Sequence, residues 1–240
     1  MKIAVYFSGR VDGYEHTLDK LEKHFFSKYD CDFYWSLDHE QETEYHATLR
    51  QILRPKGVNF QVLDQKFVDV PLASTETFQR NSLSMFFHNM HCTNMIEEYC
   101  RLTNTVYDCI VRFRIDIDSD EDFVIPEVIV PNTIYIPSGF NYRGICDRVA
   151  FGDYKSMMIY SNVYIHIHNY VYVRKAILNP EYLVMFHINE NNMNVIRVDY
   201  RFRLHPFRLK VRRVDEEDYN IMRLSDASTY HESMQDDLGR

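Results

Sequence analysis

A chain of 240 residues, 45% hydrophobic and 15% aromatic, can bury the core of one α/β domain, and that composition excludes an intrinsically disordered chain. The net charge of −8 argues against a general nucleic-acid binder, and no run of about 18 apolar residues exists to span a membrane as a helix. Five cysteines without a CxxC pair read as thiols of a reducing compartment. The short apolar run after Met1 reads as a first strand and not a signal peptide, so a cytoplasmic location is expected.

In chain order, Lys2–Phe7 is a buried strand closing in Ser8-Gly9-Arg10. A helix is expected over 14–27, with Leu18, Leu21 and Phe25 at helical spacing. A strand that opens into a small-residue turn before a helix exposes backbone N–H groups to a phosphate, although neither GxGxxG nor GxxxxGK[ST] is present. A second strand covers 31–37, ending in Ser36 and Asp38, and holds the single tryptophan, Trp35, as a core residue or a base-stacking platform. A helix over 40–53 and a strand over 58–63 follow. The longest helical pattern covers 78–102, and its polar side, with Arg80, His88 and Asn89, faces solvent or lines a cleft.

That helix leads into YDCIVRFRIDIDSDED, residues 107–122. With a two-residue period, Tyr107, Cys109, Val111, Phe113 and Ile115 share one face, and Arg112, Arg114, Asp116 and Asp118 share the other. Carboxylates at i and i+2 suit a divalent cation, and arginines beside them suit phosphate oxygens. The acids at 116, 118, 120, 122 and 127 also fall on EF-hand spacing. That reading fails because Glu121 stands where the loop needs glycine and the upstream flank is a strand.

Downstream, a strand is expected at 133–136 and another at the end of 145–152, where Asp147 and Arg148 precede Val149-Ala150-Phe151-Gly152. Asp153 caps a helix expected to run to about 173. Asn179-Pro180-Glu181 starts another, with the cap, the first-turn proline and an acid at the positive end of the dipole. His166 and His168 point apart on a helix and make no metal pair, and His187 and His205 are weaker site candidates. Short strands fill 195–214. Six cations between Arg201 and Arg213 adjoin residues 215–240, where eight acidic and two basic residues form a separate tail. The expected organisation is one domain over 1–214 and an acidic tail over 215–240.

Taken together, the first strand closing in FSGR, CDFYW, the RxRxDxD strand, DRVAFG before a helix and the NPE helix start resemble a family of small GT-A-like glycosyltransferases of bacterial polysaccharide clusters and large DNA viruses. The resemblance implies a Rossmann-like α/β fold, with a mixed, mostly parallel sheet flanked by helices. It also implies a nucleotide-diphosphate-sugar donor, a glycan or other hydroxyl acceptor, and Mn²⁺ or Mg²⁺. Carried onto this sequence, Phe7, Ser8, Gly9, Arg10, Arg80, Arg112, Arg114 and Asp116 would bind the donor. Asp116 and Asp118 would hold the metal, and Asp147 would face the reacting sugar or act as base. A nucleotidyltransferase and a noncatalytic nucleotide-sugar binder remain the alternatives.

Overall fold

The structure is a computed structural model and describes residues 1–11, 13–63, 76–139 and 144–204. The chain divides into a compact unit, Met1–Arg203, and a second unit from Leu204. Val5, Phe7 and their neighbours form a run apolar at every position, which suits a strand covered on both faces, and Lys2–Gly9 (β1) takes the interior of a sheet accordingly. It pairs in parallel with Asp30–Leu37 (β2) on one side and with Cys109–Phe113 (β4) on the other. Beyond β2 lies Gly57–Phe60 (β3), also parallel.

The other half of the sheet reverses once. After the short strand Ile117–Asp118 (β5) comes Thr133–Pro137 (β6), then Val149–Gly152 (β7), which runs antiparallel to both β4 and β6. Asn194–Val198 (β8) closes the sheet parallel to β6, giving the order β3-β2-β1-β4-β7-β6-β8. The fold is therefore α/β with a mostly parallel mixed sheet, as the sequence implies. Its first half has the 3-2-1-4 order of doubly wound proteins, in which ligands bind at the carboxyl ends of the strands flanking the reversal.

Helices cover both faces. On one lie Glu76–Thr103 (α3) and Tyr154–Ser161 (α4), packed on Ala4, Tyr6, Tyr34, Ile110 and Ala150. The other carries an aromatic cluster. Phe7 stacks on Phe33, Phe25 stacks on Phe113, and Phe123 meets Phe113, Phe151 and Tyr200 edge-on. Edge-to-face contacts of this kind add about 0.5–1.5 kcal/mol each beyond area burial.

Three expected elements break for physical reasons. The helix expected over 14–27 is a 3₁₀ turn, then Leu18–His24 (α1), then a second 3₁₀ turn at Phe26–Lys28. Adjacent residues on an α-helix point about 100° apart, so Phe25 and Phe26 enter the same cluster only if the helix stops. The strand expected to run from 107 to 118 ends at Phe113. A turn follows, closed by the Ile117 N–H on the Arg114 carbonyl at 3.2 Å. The helix expected over 153–173 starts as foreseen, with Asp153 Oδ1 accepting from the Ser156 N–H at 2.7 Å, but breaks at Asn162 into α4, Val163–His168 (α5) and a π-turn. Glu44–Leu53 (α2) and Pro180–Glu190 (α6) match expectation, the latter with Asn179 Oδ1 capping the Tyr182 N–H at 2.9 Å. No helix among the described residues is long and apolar enough to cross a membrane.

Gly144 meets the start of α6 backbone to backbone. A Cβ there would collide with the Glu181 carbonyl and come within 2.6 Å of the Tyr182 nitrogen, while the Ile145 N–H donates to that carbonyl at 3.0 Å. Neither side of this contact is a flexible side chain that could move away. Gly144→Ala should therefore destabilise the protein by about 2–3 kcal/mol and lower Tm by roughly 5–10 °C in a thermal melt, against less than about 2 °C for Gly139→Ala, where the added carbon meets nothing.

Candidate functional site

Because β7 is antiparallel to β4, its first residues lie beside the last residues of β4. Phe113 pairs with Val149, and the Arg114 N–H donates to the Arg148 carbonyl at 3.1 Å. The carboxyl edge of the sheet thus gathers four segments: the 8–10 turn after β1, 37–39 after β2, 114–118 after β4 and 145–148 before β7. Glu181 joins them through the Gly144 contact.

At the first segment, Gly9 has φ +83° with open space around its α-carbon, so glycine is required for its conformation and not for room. The Asp38 N–H donates to the Gly9 carbonyl at 3.0 Å, joining the ends of β1 and β2. A cavity of about 230 Å³ opens here, lined by Gly9, Arg10, Val11, Asp38, His39 and His46 among others. Arg10 is exposed beside it. Asp38 is held from α3, where Ser84 Oγ donates to Oδ2 at 2.9 Å and His88 Nε2 stands 4.0 Å from Oδ1. His88 is fully buried, and Ser36 fixes its Nδ1 at 2.8 Å. Burial pushes its pKa down to about 4 despite the nearby Asp38, so the ring is neutral at pH 7. A larger cavity, about 490 Å³, lies between the last turns of α3 and Tyr154. It sits toward the opposite end of β4 and gathers no comparable set of groups.

The predicted donor residues separate. Phe7 points into the aromatic cluster, and Trp35 is wholly buried, so neither ring is open to stack on a base. Arg80 is an exposed residue near the start of α3. Arg112 is 1% exposed beneath α3, because that face of β4 is covered as fully as the other. Its Nε donates to Asn89 Oδ1 at 3.0 Å, and the same oxygen accepts the Ser8 hydroxyl at 2.6 Å. Arg112 therefore acts on the 8–10 turn through Asn89.

The two carboxylates of the RxRxDxD segment are buried and already paired. Arg114 forks onto Asp116, Nε to Oδ1 at 3.0 Å and Nη2 to Oδ2 at 2.8 Å. Lys20 donates to Asp118 Oδ1 at 2.6 Å, and Arg203 to Oδ2 at 2.8 Å. Burial alone would raise the Asp118 pKa, but these two cations outweigh it and hold the carboxyl below its usual range. The divalent ion that the resemblance implies is not accommodated by this pairing. It would have to displace Lys20 and Arg203 from Asp118 and Arg114 from Asp116. Among the described residues, no three His, Cys, Asp or Glu side chains come together to hold a metal.

Asp147 is buried before β7, close to Arg114. Glu181 faces it from the first turn of α6. Burial and the Asp147 charge push the Glu181 carboxyl up to about 7, against the smaller opposing pulls of its own backbone N–H, Arg148 and Asn179. Sequence reasoning named Glu181 only as a helix-start acid and Asp38 only as a strand end. Both owe their place to contacts distant in sequence. His187 is structural, its Nδ1 bonded to the Tyr170 hydroxyl at 2.7 Å and its Nε2 to the Ile159 carbonyl at 2.8 Å. His205 and the basic and acidic segments after it, like residues 140–143 of the 137–144 loop, lie outside the described residues.

A family profile described as Domain of unknown function (DUF7796) matches residues 46–207, and the chain belongs to that family. A search of curated proteins finds no match.

Two expected outcomes follow from these pairings. Mn²⁺ alone at about 1 mM should leave the wild-type Tm unchanged, whereas Lys20→Met with Arg203→Met should make Tm rise with Mn²⁺. A wild-type rise of several degrees would contradict the pairing. Asn89→Leu removes the acceptor shared by Ser8 and Arg112 and should cost about 2–3 kcal/mol of stability in urea melts, because two buried or half-buried donors lose their partner.

Proposed function

We propose that this chain transfers a sugar from a nucleotide-diphosphate-sugar donor to a hydroxyl acceptor, on a fold of the GT-A kind. The observation that carries the reading is the cavity at the ends of β1 and β2. It lies at the carboxyl edge beside β1, one of the two strands flanking the reversal between β1 and β4, and is bordered by a glycine turn and Arg10, with Asp38 fixed in its wall. Open α/β sheets take nucleotides at this position, and a carboxylate there suits the N–H and O–H donors of a base or ribose. The diphosphate would then lie between the ends of β1 and β4, where Arg10 and Arg148 supply positive charge.

The reaction needs charge stabilisation of a leaving diphosphate and of a sugar with oxocarbenium character. Arginines at the edge serve the first need. Asp147, beside Arg114, serves the second, since a fixed carboxylate stabilises developing positive charge at the anomeric carbon. No step here is assigned to a metal. The saturated pairing of Asp116 and Asp118 favours, as a second reading, a nucleotide-sugar binder that does not turn over.

The deciding experiment screens UDP- and GDP-sugars for consumption, with and without Mn²⁺. The transferase reading expects one donor to be consumed and Asp147→Asn to lower kcat by about 100-fold or more with the fold intact. A melting shift with a donor but no consumption would establish the binder, and pyrophosphate release from a nucleoside triphosphate would establish a nucleotidyltransferase.

A further inference from the structure

We propose that Glu181 is the catalytic base of the transfer, receiving the proton of the acceptor hydroxyl. The inference rests on the transferase reading and adds to it a residue that the sequence motifs do not single out. Two independent features of the structure lead to it.

The first is a backbone contact. Gly144 lies against the carbonyl of Glu181 so closely that no side chain fits between, and the Ile145 N–H bonds that carbonyl at 3.0 Å. The contact seats the first turn of α6 beside the segment that carries Asp147. Glu181 is half-buried, while Asp147 is only 7% exposed. The second is a pair of buried polar atoms, one of them within electrostatic reach of both acids. Tyr160 Oη and Arg112 Nη1 each lack a hydrogen-bond partner among the described residues, and Tyr160 is within electrostatic reach of Arg112, Asp147 and Glu181. Buried donors are rarely left without an acceptor, so unpaired ones beside two carboxyls mark a place where an oxygen-bearing ligand is taken up.

The groups facing Glu181 are Asp147 and Arg148 from the segment before β7, Tyr160 from α4 and Asn179 from its own helix cap. Arg112 of β4 lies within electrostatic reach of Tyr160, and Arg114, in the turn after β4, within reach of Asp147. Two carboxylates side by side in a half-buried setting repel, and taking up one proton relieves that repulsion. The step balances. As the acceptor oxygen bonds to the anomeric carbon, its proton passes to the Glu181 carboxylate. The bond from the anomeric carbon to the diphosphate oxygen breaks, and the nucleoside diphosphate leaves with the electron pair. Asp147 is a positioning and charge-bearing partner and need not accept the proton.

The test uses the whole chain. Carboxyl ¹³C NMR without any donor, with the Glu181 signal assigned by its loss in Glu181→Gln, should show Glu181 titrating near 7, and lower in Asp147→Asn. Titration near the ordinary 4.5 overturns the inference. A raised carboxyl pKa gives stability that is present below about 4.5 and lost as pH rises through about 7, so Glu181→Gln should melt higher than wild type at pH 8, which also checks its fold. In the transfer assay, wild-type kcat should rise about tenfold per pH unit below that titration and level above it. Glu181→Gln should lose about 100-fold or more in kcat and flatten the profile, with donor KM changed less than about threefold. A profile that Glu181→Gln leaves unmoved overturns the inference. Donor turnover with Glu181 titrating near 4.5 overturns the base and spares the transferase. Titration near 7 with no donor consumed overturns the transferase itself.

Discussion

Charge compensation at one edge of the sheet governs this structure. A carboxylate removed from water needs a cation or hydrogen-bond donors, and a buried charge left alone costs several kcal/mol. The acids after β4 meet that condition locally: Asp116 takes a fork from Arg114, and Asp118 is shared by Lys20 of α1 and Arg203. Arg114 does more than neutralise, because its backbone carbonyl closes the turn that ends β4 and its N–H ties β4 to β7. Glu181 is set differently: burial and the charge of Asp147 push its carboxyl up, and the backbone contact at Gly144 holds the start of α6 against the segment before Asp147. The edge therefore has a half whose charges are paired and that organises the fold, and a half where one carboxyl is pushed up, to which the proposed proton transfer is assigned.

That division reassigns the segment most conspicuous in the sequence. Alternation correctly put Cys109, Val111 and Phe113 on one face of β4 and Arg112 on the other. It could not show that both faces are covered, so an arginine expected at a ligand lies under α3 and reaches the 8–10 turn only by way of Asn89. Nor could it show that the strand stops at Phe113. An arginine two residues before an aspartate can fork back onto it and close a turn, and that local pairing prevailed over the two-residue period.

Other parts were legible because their physics is local. The apolar run of β1, the caps at Asp153 and Asn179 and the proline at the start of α6 each act within four residues, and each appears where the sequence places it. The breaks at Thr17, Phe25 and Asn162 answer to packing, notably the insertion of two neighbouring phenylalanines into one cluster. Asp38 and Glu181 were missed for the same reason. The first is fixed by Ser84, 46 residues on, and the second is set against a glycine 37 residues before it. A cap-proline-acid triplet signals a helix start whether or not its acid also faces a second carboxyl.

The claim that the carboxyl edge of β1, β2 and β4 is the ligand site is tested most directly by hydrogen–deuterium exchange with and without a UDP- or GDP-sugar at saturating concentration. The account predicts slowed exchange in peptides covering 8–11, 37–39, 114–118 and 145–148, with no change at the last turns of α3, where the larger cavity lies. Protection confined to that α3 cavity, or no protection with any nucleotide sugar, would contradict it.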